Sequence, residues 1–351
     1  SCCQRCFSIK AADPGRAWIK NYKGGRFILK KSLSIALVAL ITCAALVFSG
    51  CANKTKSDEK KAAAPSSLKI TYVKSPLNIP SIIDKNNQTI ANSFAKNNTK
   101  VSFPDINSGA KQTEALAAGS LDICSALGGT SAILAASNGV DVKIIGTYSR
   151  APKAFNIMAK DPAIKTTADL KGKKVAGPKG TILHQILIAA LDKEGYAASD
   201  VEFLSMGIPE SVNAMMTGSV DVALVAGFYI MRAEPAWAHI VANGENLVDA
   251  TIVIAVSGKF LEQYPDAVKQ YLAAHKENIA FMKANKAKAY EFTAKETGLD
   301  ASDVELMAPW YDFDPTITDK DIIELEKTQA FLLKTGMQTN KIDIKKIIVR
   351  L

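Results

Sequence analysis

A chain of 351 residues, 48% of them hydrophobic and 22% charged, has room for two domains of ordinary size and a substantial core. Its net charge of +9 does not mark a nucleic-acid binder, because eight of the basic residues and a single acid, Asp13, fall within residues 1–51. The remainder holds 35 basic against 33 acidic residues, which excludes an electrostatic grip on nucleic acid by the folded part.

The front of the chain reads as a leader and a spacer. Lys30 and Lys31 precede an apolar run from Leu33 to Phe48, whose 16 residues are short for a membrane-spanning helix and match the core of an export signal. Residues 28–50 are therefore read as a signal peptide, and residues 1–27, which fit no part of one, as an extension ahead of the natural start. Cys2, Cys3 and Cys6 lie in that extension without a partner cluster for a metal. Residues 51–66 are polar, charged and free of large apolar side chains, which predicts a flexible tether. Beyond them stands one cysteine, Cys124, so no disulfide framework is available, and its apolar neighbours predict a small buried hydrophobe.

From Leu68 strand-like and helix-like segments alternate. Leu68 to Val73 reads as a strand, Ser75 to Asn78 as a turn, and Ile79 to Ala95 as a helix. Strand Val101 to Ile106, a short helix from Ala110 and strand Asp122 to Leu127 come next. Gly128-Gly129-Thr130 then opens a helix to Ala136, and Val142 to Tyr148 is the next strand. A second unit starts after Arg150-Ala151-Pro152, with strands Phe155 to Ala159, Lys174 to Gly177, Val201 to Met206, Val220 to Ala226 and Ala250 to Val256. The remainder is mainly helical, with helices over 265–284, 286–297 and 319–335. Alternation of this kind predicts an α/β protein with a largely parallel sheet.

The segment 170–195 is the most informative. Its strand feeds a Pro178-Lys179-Gly180 turn, and Thr181 stands at the N-cap of a helix whose Ile182, Leu183, Ile186, Leu187, Ala190 and Leu191 share one face. A strand running into a Gly-Thr turn leaves backbone N–H groups free at a positive dipole end, which suits an anion; the same turn also serves as an ordinary strand-to-helix connection. Gly128-Gly129-Thr130 repeats the arrangement more than fifty residues earlier, and two such turns can face each other from different lobes.

In that order, ALAAGSLDICSA, TTADLKGKKVAGPKGTILHQILIAAL, DVEFLSM, IPESVNAMMTGSVDVALV and DFDPTITDKDI resemble the nitrate/sulfonate/taurine-type substrate-binding lipoproteins of ABC importers. The resemblance covers roughly Leu68 to Leu351. It implies a two-lobed type II periplasmic-binding fold, each lobe a mixed sheet flanked by helices, with the ligand cleft between the lobes. One lobe would comprise 67–149 plus 257–351 and the other 150–256, with hinges near Arg150 and Ser257. Phe48-Ser49-Gly50-Cys51 resembles a lipobox, with Phe where Leu is usual, and implies lipidation of Cys51; a plain secretory signal or a signal anchor is the other reading.

Carried onto this sequence, the resemblance implies a ligand-binding set. Gly180, Thr181, Ile182 and His184 form the anion-contacting helix start, Gly128, Gly129 and Thr130 a second wall, and Ser75, Pro76 and Asn78 a third. Tyr148 and Met206 close strands that would point at the cleft. In the first helical turn His184 would be neutral, either donating to a ligand or packed between lobes. Where many relatives carry a Trp-Asp-Pro segment, this chain has Ala226-Gly227-Phe228-Tyr229, with Gly227 and Phe228 as expected contacts and no acid for an amine. That points away from taurine and toward a smaller acid, an aliphatic sulfonate without an amine, or an apolar or aromatic ligand.

The resemblance thus implies an exported, membrane-anchored monomer that binds a small solute and hands it to ABC permease subunits, without a cofactor, metal or catalytic residue. Two alternatives stand beside it: a binding protein for a neutral or pyrimidine-type ligand, and a same-fold enzyme of thiamine-pyrimidine or menaquinone biosynthesis. Against the enzyme, the globular part has one cysteine and three scattered histidines, His184, His239 and His275.

Overall fold

A computed structural model describes residues 64–233 and 238–351. The expectations for the leader, for Cys51 and for residues 51–63 lie outside the described residues. Within them the alternating pattern becomes ten strands and twelve α-helices in two lobes.

In the first lobe β1 (Ser67–Lys69) pairs in parallel with β2 (Lys100–Ser102), and the chain just past β1 bridges in parallel from Ile70 to Ile123 of β3 (Ile123–Gly128). The last strand of the chain, β10 (Thr251–Ser257), lies antiparallel between β3 and β4 (Val142–Arg150). The spatial order is thus β2-β1-β3-β10-β4. The second lobe repeats it with β7 (Glu202–Ser205), β6 (Lys174–Gly177), β8 (Val222–Ala226), β5 (Phe155–Ala159) and β9 (His239–Asn243). Here β5 is the antiparallel strand, flanked by β8 and β9. In each lobe the antiparallel strand is the first one the chain makes on arriving from the other lobe.

This order corrects the expected lobe boundary. Residues 251–256, expected at the end of the second lobe, form an interior strand of the first sheet, and Ser257 is the N-cap of α8 (Gly258–Gln263), its Oγ accepting from Phe260 N at 3.1 Å. The chain crosses between lobes at 151–154 and again at 244–250. The two crossings run side by side: Gly244 N donates to Pro152 O (2.9 Å) and Ala151 N to Asp249 O (3.2 Å). A strand as uniformly apolar as TIVIAV must be covered on both faces, and helices, α8 among them, pack over β10 while β3 and β4 pair with its two edges.

Side-chain alternation assigns each face of the second sheet to its own core. Val222, Leu224 and Ala226 of β8 join the main cluster, while Ala223 and Val225 join a smaller one with Met158, Ala176, Val212 and Met215. Helix α5 (Ile182–Lys193) packs on β5 and β8, and α6 (Ile208–Met216) on the other face. In the first lobe α3 (Gly109–Ala117) and α4 (Gly129–Ser137) lie against β3 and β10. The expected helix over 79–95 is two helices, α1 (Ile79–Asn87) and α2 (Thr89–Ala95), broken at Gln88 with φ 55°. They pack on α9 (Pro265–Ala284), and α1 also on α10 (Lys286–Thr297). Between β8 and β9 lies α7 (Tyr229–Ala233), and α11 (Ala301–Met307) comes after α10. The final helix, α12 (Asp319–Lys334), touches α4 of one lobe and α5 of the other. Among the described residues no helix is long and apolar enough to cross a membrane.

Candidate ligand-binding site

Five helix starts point at one place between the lobes, where they enclose a cavity of about 210 Å³. Asn78, the N-cap of α1, lines it, as do Gly109 at the start of α3 and Gly128, Thr130 and Ser131 at the start of α4. The second lobe supplies Thr181, Ile182 and Leu183 from α5 and Ile208 from α6. None of the five has a side chain capping its first turn through the N-cap residue. Even Thr181, a favourable cap by type, turns its hydroxyl to Pro178 O at 2.8 Å.

Two of the starts carry substitutes. Tyr148 Oη accepts from Ser81 N (3.2 Å) in α1, and Glu210 of α6 folds its carboxylate back against Gly207. The starts of α3, α4 and α5, two from one lobe and one from the other, have no such group. Their first-turn N–H groups and aligned dipoles form a positive region with no side-chain charge.

No Asp, Glu, Lys, Arg or His lines the cavity among the described residues. The remaining wall is apolar, with Val73, Ala126, Phe155, Ala226 and Ile252. Two buried amides border it: Asn78 Nδ2 donates to Val73 O (2.9 Å) and Ser75 O (3.1 Å), fixing the loop after β1, and Gln112 Nε2 donates to Ile106 O (2.9 Å). Each amide's oxygen lacks a partner among the described residues.

Of the expected contacts, Ser75, Pro76, Asn78, Gly128, Thr130, Thr181 and Ile182 meet at this cavity. The others stand beside it or away from it. Gly129 packs against Leu325, and Gly180 makes the turn at φ +72°. Tyr148 is fully buried in the first lobe, held by Ser81 and edge-on to Phe313. Met206 packs with the smaller apolar cluster, and its neighbour Ile208 reaches the cavity instead. Phe228 is buried against Tyr229, and Gly227 lies against the backbone of Pro76 in the other lobe. Lys179 is exposed. Asn107, Gln112, Phe155, Leu183 and Ile252 also line the cavity, and no motif in the sequence singles them out.

His184 is packed rather than presented. It is 7% exposed, stacked on Phe203 with centroids 4.6 Å apart and edge-on to Phe331 of α12 at 5.5 Å. Its Nδ1 accepts from Gly180 N at 3.3 Å. Burial, aided by the Lys179 charge, lowers its pKa to about 4, so the ring is neutral as expected. Burial alone lowers His275, in the first lobe, to about 4 as well. Unfolded histidines protonate near pH 6.5, so between 6.5 and 4 the unfolded chain binds more protons and stability falls as pH falls. Each ring should remove roughly 1.4 kcal/mol per pH unit in that window, partly offset by Asp84, which burial raises. Urea unfolding at pH 7.0 and 5.0 should show the loss, and His184→Phe should make the slope shallower by about one proton. An unchanged slope in that variant would mean that the native ring protonates freely.

Comparison with known proteins gives a consistent picture. The family described as "NMT1/THI5 like" matches residues 93–289. A Bacillus subtilis (strain 168) protein named "Putative aliphatic sulfonates-binding protein" is 29% identical over 324 residues, covering 91% of this chain and 95% of the relative. An Escherichia coli (strain K12) protein of the same name is 26% identical over 293 residues, covering 82% and 89%. The solved alkanesulfonate-binding protein of Xanthomonas axonopodis pv. citri, bound to MOPS, shares the fold with a TM-score of 0.75 at 23% identity, over 83% of this chain and 100% of that one.

Proposed function

Since the chain belongs to the NMT1/THI5 like family, we propose that it is the extracytoplasmic solute-binding component of an ABC importer, capturing an aliphatic sulfonate between its lobes. The observation that carries the ligand class is the cavity itself, where three helix starts without a capping side chain meet in a space that no charged side chain lines among the described residues. A sulfonate spreads one negative charge over three acceptor oxygens, which suits N–H groups converging from several helices better than it suits one cation. The alkyl tail lies against Phe155, Ile182, Leu183, Ile208 and Ile252. The two relatives named above as aliphatic sulfonates-binding proteins support the same reading.

The absence of a lining carboxylate sets the finer preference. Taurine brings an ammonium that would be desolvated with no carboxylate to pair it, so it binds more weakly than an alkanesulfonate of equal length. The cavity's small size, below the roughly 300–1,000 Å³ of drug-sized sites, favours a short chain. The protein binds without turnover: Cys124 is buried in β3, where burial pushes its thiol up to about 12, and it does not line the cavity. It acts as a monomer held to the membrane by Cys51, delivering its ligand to the permease subunits.

Thermal unfolding of residues 64–351 with ethanesulfonate, taurine, nitrate, benzoate and a neutral pyrimidine tests the reading. Ligand at a hundred times its dissociation constant adds about 2.7 kcal/mol, which is readily seen. Ethanesulfonate should give the largest shift and Thr130→Asp should abolish it, because the new carboxylate occupies the start of α4. A shift confined to the neutral or aromatic compounds would overturn the anion and keep the binding protein.

A further inference from the structure

A cavity of about 520 Å³, larger than the one between the lobes, lies elsewhere in the protein. It lies inside the first lobe, between α1, α2, α9 and the edge formed by β1 and β2. Its lining holds a group that folding alone leaves unfinished. Asp84 is 4% exposed, and both of its hydrogen bonds, from Ile90 N and Asn278 Nδ2 at 2.9 Å each, fall on Oδ1. Oδ2 receives no hydrogen bond from the described residues and, unlike Asn278 Oδ1, is not sealed from solvent, so it is open to the cavity. The lysine at the mouth does not serve it, because Lys85 Nζ is bound to both oxygens of Glu296, at 2.7 and 2.8 Å, and lies over the Tyr72 ring. A buried carboxylate without a cation is costly, and burial raises this one above its ordinary range.

A second orphan borders the same cavity. Asn278 is 1% exposed, and its amide nitrogen must face Asp84 to donate to it, which fixes the amide's orientation. Its Oδ1 is therefore an acceptor with no donor. His275, neutral and 3% exposed, contributes a further ring nitrogen without a partner. One wall is thus short of positive charge and leaves the Asn278 acceptor unanswered, while Tyr271, Tyr72 and Phe103 supply aromatic surface.

We propose that this cavity is a second binding site, distinct from the cleft, for a small organic amine. A protonated primary amine supplies what the wall lacks: a positive charge for Asp84 and N–H donors for Oδ2 and Asn278 Oδ1. The aromatic rings take the apolar body and stabilise the cation over their faces. Among the described residues the cleft lining holds no carboxylate for an ammonium, whereas this cavity holds one whose nearby lysine is already bound to Glu296. The proposal does not rest on the sulfonate reading, since none of these residues lines the cleft.

The test is calorimetric titration of residues 64–351 with 2-phenylethylammonium chloride at pH 7.5, against 2-phenylethanol as its uncharged counterpart. The amine should bind saturably at one site and at least tenfold more tightly than the alcohol. Asp84→Asn keeps an acceptor for Ile90 N and removes only the charge, and it should weaken the amine at least tenfold. Ala91→Phe, which fills the cavity from its rim, should abolish binding should Asp84→Asn fail to fold. The ethanesulfonate shift should be the same in both variants as in the parent, which separates this site from the cleft. Equal binding of amine and alcohol, retention of amine binding in the variants, or no saturable binding at 10 mM amine (roughly a −3 kcal/mol site or weaker) would each overturn the proposal.

Discussion

Gly227→Ala should weaken ligand binding by about a hundredfold while leaving a folded protein. Gly227 stands just after β8, takes φ +60°, and sits where the second lobe meets the loop after β1 of the first. A Cβ built there would lie 2.2 Å from Pro76 O and 2.6 Å from its carbonyl carbon and Cα. These are backbone atoms, with no flexible side chain to move aside. Phe228 N also reaches Pro76 O, at 3.4 Å, so the two lobes touch at this point. The single methyl forces them apart and opens the cavity that Pro76 and Ala226 both line.

Each lobe's own core does not depend on that contact, so the cost to folding is the positive φ alone, roughly 1–2 kcal/mol for alanine. The cost to binding is larger, because the apparent affinity falls in proportion to the fraction of molecules in the closed form. A closed state disfavoured by about 2.7 kcal/mol gives the hundredfold loss. Titration calorimetry with ethanesulfonate reads the affinity, urea unfolding reads the stability, and small-angle scattering reads the wider shape. Unchanged affinity in a natively folded variant would mean that the ligand does not require the lobes to meet there.

Much of this arrangement is legible in the sequence because it rests on local signals. Gly128-Gly129-Thr130 and Gly180-Thr181 announce a strand turning into a helix, and the structure brings both turns to one cavity. Strand pairing between distant segments is not legible. The run TIVIAV is apolar enough to be a central strand, but no residue in it says which sheet it enters; that depends on where the chain crosses back between lobes, at 244–250. The edge strand β9, with its mixed HIVAN sequence, has no clear period and goes unseen.

The site residues divide the same way. Seven of those on the turns reach the cavity while Gly129 and Gly180 only shape the turns beside it, and Tyr148 and Met206, whose placement assumes that strand ends point at the cleft, do not reach it. Tyr148 turns inward because its hydroxyl finds Ser81, and Met206 because the second sheet has a second apolar face to cover. Asn107, Gln112 and Phe155 reach the cavity from segments whose pattern carries no chemistry. The DFDP segment packs inward, with Tyr311 and Phe313 stacked at 5.6 Å and buried.

Arg150→Gln should cost about 3–5 kcal/mol of stability, the largest single loss expected outside the apolar cores. Arg150 ends β4 at the first crossing between lobes. Its Nε and Nη2 bind Asp321 Oδ1 and Oδ2 at 2.5 and 2.7 Å, a two-pronged pair with a carboxylate that is 1% exposed. The same guanidinium donates to Asp312 Oδ2 (3.0 Å), Asp314 O (3.1 Å) and Thr316 O (2.8 Å). Burial by itself would raise the Asp321 carboxyl, but the bonds from Arg150 and Thr318 overcome it and hold the carboxyl below the ordinary range.

Glutamine keeps one donor and loses the charge, leaving a buried carboxylate without its partner. The effect reaches α12, since Asp321 lies in its first turn and α12 joins the lobes through Thr328 with Gln185 and Lys334 with Asp192. The parent's contribution from Asp321 is present above about pH 4 and is lost as pH falls through the lowered native value. In the variant burial dominates, the native pKa rises, and protonation removes the penalty, so the gap between the two proteins narrows as pH falls toward the carboxylate range. Adding Asp321→Asn to Arg150→Gln should recover part of the loss at pH 7, because no buried charge is then left alone. Urea unfolding of the parent and both variants at pH 7 and pH 4.5 measures all of this, and a gap that stays constant with pH would place the loss in packing rather than in the stranded carboxylate.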